Sequence, residues 1–463
     1  MPRGSALEKR KDLLDALAHL DEVGSLLAPG EGDLAAIREA IDLIGSDGLF
    51  GSSSKEMLQR ALDTCETLAR RHDCVVANPP YMGSSSFGPF MSRWVKKNYP
   101  DVKSDLCTCF IERGFNLAKD RGYAAMITMQ SWMFLGSFEK MRSSLIGSKS
   151  ILSMLHLGPR AFDAIGGEVV NVTADVVYNG RAACAGAYVR LVDINGSDAK
   201  RQKALEAIQN PDCGWFYRRD AETFKQIPGT PIAYWLAPGF VESFSKPSLK
   251  TVSAARTGMA TGRNEVFLRL WPEVSISGIG FGLTRTEANE SELVWFPYAK
   301  GGEFRKWYGN RDYIVNWFND GHELQTTMHP QGKRIWAHNF NLEHIFHEFL
   351  SWSDITVGAS SFRYFEDGFL FDSSGTAAFL ESPAVSFCYL LGLLNTSFIG
   401  ALVPVLNPTM HFTPGDYGNL PFCLADEEAS HDVTNLVENC LNISKSDYDS
   451  FETSWDFKCH PLI

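Results

Sequence analysis

Leu13, Leu14, Leu17 and Leu20 recur at helical spacing, as do Ile37, Ile41 and Ile44, then Leu58, Leu62 and Leu68. Residues 7–70 therefore predict a helical lead-in. The pattern changes after Arg71-His72-Asp73-Cys74. Val75-Val76-Ala77 is a short apolar run without polar alternation, which predicts a strand in a parallel sheet covered on both faces. Asn78-Pro79-Pro80-Tyr81 must end it, because neither proline donates to a ladder and Pro80 holds Pro79 out of the helical region. Met82 to Pro89 reads as a mobile Gly/Ser-rich loop. Leu106, Phe110, Ile111, Leu117 and Ala118 then give the buried face of a helix capped by Ser104. Asp120-Arg121-Gly122 turns the chain into a strand over Tyr123–Met129, making a right-handed strand–helix–strand unit. A helix over Phe138–Ile146, a strand over Ile151–Leu157, and an antiparallel pair, Val169–Tyr178 with Ala187–Ile194, complete an α/β sheet.

Residues 197–245 mix a helix, the turn Asn210-Pro211-Asp212 and the proline-containing stretches Pro228–Pro231 and Pro238–Pro247, the punctuation of a boundary. The expected division is a helical lead-in at 1–70, a catalytic-type α/β domain at 71–200, a connecting segment at 201–247, a second mixed α/β domain at 248–425 and a C-terminal extension at 426–463. With 463 residues, 44% of them hydrophobic, the chain can fill two or three cores. Its formal net charge of -12 argues against a general polyanion binder, although one groove of an acidic protein can still be basic. Ten cysteines without a CxxC pair predict reduced thiols, a cytoplasmic setting and no zinc site. Met1 to Asp21 is charged and helical in pattern, unlike a signal peptide. The apolar run Phe387–Leu406 is broken by Gly392, Asn395, Thr396, Ser397 and Pro404, so a buried helix and turn is expected there and no membrane contact.

Asn-Pro-Pro-Tyr at the carboxyl end of a parallel strand lies where open α/β sheets place ligands. Methyl transfer to the exocyclic amine of adenine needs such a group, because the amine's lone pair is delocalised into the ring. Two rigid acceptors held against its hydrogens favour the pyramidal, reactive form. Asn78 offers a side-chain oxygen and Pro79 a main-chain carbonyl, both stiffened by Pro80. Tyr81 offers a flat face to a base swung out of its duplex. The bland alternative is a proline turn that closes a strand.

The segment resembles motif IV of the γ-class adenine-N6 DNA methyltransferases, and the likeness continues in the family's order. Ser104-Asp105-Leu106 is similar to the opening of the motif V helix, Gly122 to Trp132 to the next strand and loop, and Leu157-Gly158-Pro159-Arg160-Ala161-Phe162 to the segment bearing a second base-stacking aromatic. Phe296 to Asn310 and Asp447 to Phe457 are similar to the PglX-type methylases of BREX phage-defence systems. The resemblance implies a partial Rossmann-like methyltransferase domain followed by a mixed α/β target-recognition domain. It implies double-stranded DNA as partner and S-adenosylmethionine as cofactor. Asn78, Pro79, Pro80 and Tyr81 would be catalytic, and Tyr81 and Phe162 would sandwich the base. Phe162 as a core residue, and Asp105 as a helix-start carboxylate rather than a cofactor contact, stay open as alternatives.

The family's cofactor strand and glycine loop lie before motif IV. Gly45-Ser46-Asp47-Gly48-Leu49-Phe50-Gly51 is the one glycine-rich candidate here, but a helix precedes it where a strand is required, so it reads as a helix end and turn. The cofactor pocket is thus expected to be incomplete and the chain an internal fragment of a longer enzyme, completed by another chain or by other phage-defence subunits. In the second domain, Thr257 to Phe267 resembles the entry to a recognition domain, with a plain glycine turn before a strand as the alternative. Lys300, Arg305, Lys306 and Arg311, interleaved with Phe304, Trp307 and Tyr308, suit phosphates and bases. With Arg263, the residues Lys300, Arg305, Lys306, Trp307 and Arg311 are the expected DNA contacts. A solvated turn is the alternative, and Lys333, Arg334 and Arg363 are further candidates. No metal site is expected. The rival to an enzyme is a non-catalytic DNA-binding or assembly module.

Overall fold

The computed structural model describes residues 5–44, 51–162, 170–355, 358–407, 409–460 and 462. The chain divides into two compact units, Met1–Leu236 and Ala237–Ile463.

In the first unit, helices Lys11–Ala18, Glu31–Asp42 and Gly51–Ala69 form the lead-in. Leu13, Ile37, Ile41 and Leu62 are buried in one apolar cluster with the sheet's own core. The Gly45–Phe50 stretch read as a turn lies outside the described residues. Six strands follow: β1 (His72–Ala77), β2 (Ala118–Met129), β3 (Ser150–Gly158), β4 (Val172–Tyr178), β5 (Gly186–Arg190) and β6 (Phe216–Arg219). They lie in the order β1-β2-β4-β3-β5-β6. β1 runs parallel to β2, and β3 parallel to β5. β4 is antiparallel to both of its neighbours, and β6 to β5. β2 and β3 therefore point the same way, and the carboxyl ends of β1, β2 and β3 share one end of the sheet.

Four sequence expectations need correction. The last two expected strands, β4 and β5, do not pair, because β3 lies between them. Alternation marks a strand without naming its neighbour. β6 and the helix Ser197–Gln209, from the stretch read as a connector, belong to this unit. β1 is not covered on both faces, since it is the outer strand with Val76 76% exposed. The expected turn Asp120-Arg121-Gly122 is a bulge within β2. Arg121 takes a left-handed φ of 65°, the register to β1 shifts there, and a Cβ on Gly122 would lie 2.9 Å from the Asp73 carbonyl.

The second unit contains β7 (Ser253–Arg256), β8 (Leu268–Leu270), β9 (Trp295–Ala299), β10 (Tyr313–Asn316), β11 (Phe349–Ser353), β12 (Phe362–Phe365), β13 (Leu370–Phe371) and β14 (Gly375–Leu380). They form two four-stranded sheets, β13-β9-β10-β8 and β12-β11-β14-β7. The second sheet is buried on both faces. Phe349, Ala377 and Phe379 join one core with Phe296, Tyr298 and Val315. Leu350, Trp352 and Ala378 join another with Leu390, Leu391, Ile399 and Leu402. Where the sheets meet, backbones nearly touch: a Cβ would lie 2.3 Å from the Asp372 carbonyl oxygen at Gly258, 2.3 Å from that of Ser374 at Gly301, and 2.6 Å from that of Ala299 at Gly375.

The apolar run predicted as a buried helix and turn is two helices, Phe387–Leu394 and Ser397–Leu406, bent by 69°. Among the described residues no single helix is long and apolar enough to cross a membrane. The polar break has a structural purpose, since the Asn395 amide accepts from the Phe362 N–H at 3.1 Å and donates to its carbonyl at 3.0 Å, pairing the outer strand β12. The helix Glu427–Tyr448 packs closely on Phe387–Leu394, with Val437 2.8 Å from where a Gly392 Cβ would be.

Candidate nucleobase site and basic surface

Asn78 leaves β1 exposed to solvent, while Pro79 is buried and fixes the chain's exit. Tyr81 is half-buried. Its hydroxyl faces both the Ile127 carbonyl, at 3.2 Å, and the Asn78 Oδ1, at 3.4 Å. Partial burial raises the phenol above its ordinary range, so it stays protonated and donating. The ring is thereby tethered over the end of β2, and Asn78 keeps acceptor capacity on its oxygen.

The loop after Tyr81, expected to be mobile, is tied down along its first half. Leu106 donates to the Met82 carbonyl at 2.9 Å, Ser84 to that of Ser104 at 2.9 Å, and Gly83 bridges Asp105. The helix Leu106–Leu117 is capped by Asp105 rather than Ser104, with the Asp105 carboxylate accepting from the Cys107 N–H at 2.9 Å. That is the helix-start role; one carboxylate oxygen is engaged by the backbone. Phe162, half-buried, follows β3 and is succeeded by residues outside the described set. In sheet order the end of β2 adjoins that of β1, and the start of antiparallel β4 separates it from the end of β3.

A polar chain that the sequence did not signal lies at this same end of the sheet. His156, 4% exposed on β3, meets the Tyr234 hydroxyl through Nδ1 at 2.9 Å and the Gln130 Oε1 through Nε2 at 2.7 Å. Burial first, then the positive charges of Arg190 and Lys200, push the imidazole down to about 3, so the ring is neutral. Phe134, Tyr234 and Trp235 surround it. Three residues so far apart in sequence share no periodicity; only the strand order joins them. Asp175, on β4, is a buried carboxyl of this sheet. Among the described residues its Oδ1 has no partner, and burial raises its carboxyl to about 7.

In the second unit the expected DNA contacts separate. Arg311 is 1% exposed and is bound through both terminal nitrogens by Glu366, so it is a core residue and not a surface cation. Lys306 donates to the Asn395 carbonyl at 2.8 Å, and Trp307 bonds through its backbone to Phe362 and Tyr364, both serving the fold. Arg363 is also buried. Arg263 pairs with Glu265 at 3.2 Å beside the Trp336 ring, and Asn264–Phe267 is a helical turn rather than the start of a strand. Lys300 lies 3.4 Å from Asp372. Arg305 sits over Tyr448 at 5.3 Å. Lys300, Gly301, Gly302, Arg305 and Tyr448 line a cleft of about 570 Å³ together with Glu303 and Asp312. Among the described residues no group of three or more His, Cys, Asp or Glu is placed to hold a metal.

The Eco57I restriction-modification methylase family matches residues 39–162. The adenine-specific methyltransferase PglX of Lacticaseibacillus casei (strain Zhang) is 40% identical over 410 residues, covering 88% of this chain and 34% of the relative. The adenine-specific methyltransferase BrxX of Escherichia coli O9:H4 (strain HS) is 37% identical over 449 residues, covering 95% of this chain and 35% of the relative. Among solved structures, the Type IIL restriction-modification enzyme MmeI, in complex with DNA, aligns with a TM-score of 0.56 at 11% identity over 87% of this chain and 53% of that one, a likeness of fold. The chain spans about a third of the length of the curated relatives it matches. Over nearly its whole length, the chain is similar to these two adenine-specific methyltransferases, PglX and BrxX.

Proposed function

We propose that this chain is the base-binding and target-recognition part of a site-specific DNA adenine-N6 methyltransferase of a BREX-type phage-defence system. The observation that carries the reading is the end of β1: an exposed Asn78 amide, a buried Pro79 that stiffens the exit, and a Tyr81 ring tethered beside them. Asn78 Oδ1 and the Pro79 carbonyl accept the hydrogens of the adenine amine, while Tyr81 and Phe162 cover the ring faces. The second unit contacts the duplex, with Arg263, Lys300 and Arg305 as its candidate phosphate contacts.

The family implies S-adenosylmethionine, and the described residues do not make a full site for it. β1 is the outer strand, and no described strand runs through a glycine loop into a helix on its far side. The methyl donor's pocket would need further polypeptide beside β1, and Asp105 is the one candidate contact from this chain.

A second reading, a DNA-binding or assembly module without catalysis, is favoured by that same uncovered strand. Calorimetric titration separates the two. Heat with S-adenosylmethionine and methylated DNA product would establish an autonomous enzyme. Binding of an adenine-containing duplex that Asn78→Ala weakens supports the base-site reading. Duplex binding indifferent to Asn78→Ala leaves the module alone standing.

A further inference from the structure

The Tyr234 hydroxyl is fully buried, and His156 Nδ1 is its sole hydrogen-bond partner among the described residues. A neutral imidazole carries one proton. Were that proton on Nδ1, the tyrosine's own O–H would point into apolar packing without an acceptor, an arrangement that forfeits a buried hydrogen bond. The proton therefore sits on Nε2, which donates to Gln130 Oε1. That in turn fixes the amide of Gln130: its oxygen faces inward and its NH2 outward. No described residue accepts from that NH2, and Gln130 is only half-buried.

The topology says where this donor stands. Gln130 directly follows β2, beside the end of β1, which leads to Asn78 and Tyr81; across the start of β4 it reaches His156 on β3, the strand that leads to Phe162. On the base-site reading, a base covered by Tyr81 and Phe162 would rest above it. We propose that Gln130 is a specificity residue that donates to a ring nitrogen of the bound adenine, and that His156 and Tyr234 are positioning residues that hold its amide the right way round. The inference rests on the base-site reading of this sheet end. Adenine carries ring-nitrogen acceptors, N1 and N7, on both sides of its amine, so acceptors from Asn78 and Pro79 beside a donor from Gln130 complement it; cytosine has such an acceptor on one side only.

Two measurements test it. Long-range proton–nitrogen NMR of the histidine-labelled chain, with His156→Gln for assignment, should report His156 protonated on Nε2, and Tyr234→Phe should shift it toward the other tautomer. An Nδ1-protonated ring in the unsubstituted chain overturns the orienting role. Separately, fluorescence anisotropy should rank an oligodeoxyadenylate above its 1-deaza or its 7-deaza analogue, one of which loses the acceptor, by about three- to tenfold, the worth of one neutral hydrogen bond. Gln130→Glu keeps an acceptor for His156 but has no donor; it should bind all three strands at the weakened level. Equal binding of the three strands by the unsubstituted chain overturns the specificity role while leaving the base site intact. No binding of any adenine strand removes the base site itself, and this proposal with it.

Discussion

Arg311 lies with its guanidinium 3.8 Å from the centre of the Tyr308 ring and gives both terminal nitrogens to the Glu366 carboxylate, one at 2.6 Å. A cation that is 1% exposed has exchanged water for one carboxylate, the Tyr364 carbonyl and three rings. Glu366→Gln should therefore destabilise the second unit by roughly 2 kcal/mol, below the cost of breaking a fully buried pair because the carboxylate is about half exposed. The urea midpoint measures it. An unchanged midpoint would show that the rings alone stabilise the guanidinium.

Arg305 differs in kind. It is half-buried over Tyr448, no acid lies within ion-pairing distance of it among the described residues, and it borders the cleft beside Gly301 and Gly302. If it meets a phosphate, Arg305→Gln should lower the slope of log affinity against log salt by about 0.9. Lys306→Gln should leave that slope as it was and cost stability instead.

Asp175 couples folding to pH. Its carboxyl, raised by burial from the ordinary 3.8 to about 7, holds in the folded state a proton that the unfolded chain releases near 4. Stability from this group is thus full below pH 4, falls as pH rises through that interval, and is gone above 7. Asp175→Asn should stabilise the protein at pH 8 by on the order of 3 kcal/mol and leave it little changed at pH 4. Denaturation midpoints at the two pH values decide the matter.

Asn78 is exposed, so removing its amide should alter stability by no more than about 0.5 kcal/mol. Asn78→Ala is expected to keep the thermal transition and to lose affinity for adenine-containing strands. A collapsed transition would make Asn78 a structural turn residue.

Val76 projects from an outer strand whose far edge has no strand partner among the described residues. Such strands invite pairing with other chains. Val76→Lys should reduce concentration-dependent association in sedimentation velocity without lowering the melting temperature. Self-association that persists unchanged would place the sticky surface elsewhere.

What was legible in the sequence was local. The run Val75-Val76-Ala77 closed by two prolines announced a strand and its end, and the spacing of Leu106, Phe110 and Ile111 announced a helix. Neighbours were not legible: β3 inserts between β4 and β5, and β6 arrives from a stretch that read as a connector. Exposure was not legible either. Val76 has the composition of a covered strand and stands in solvent, while Arg311 has that of a surface contact and stands in the core. The Gln130–His156–Tyr234 chain spans three separate segments, so only the assembled sheet reveals it.

The near-contact of backbones at Gly258, Gly301 and Gly375 makes the second unit a chassis with an exchangeable rim. An alanine at any of the three has to pry two strands apart, so those positions have almost no freedom to drift. Glu303 and Phe304, one and two places beyond the Gly301-Gly302 pair, are exposed and can vary at little cost. A scaffold of this kind lets the surface that meets a ligand diversify while the frame carrying it stays the same.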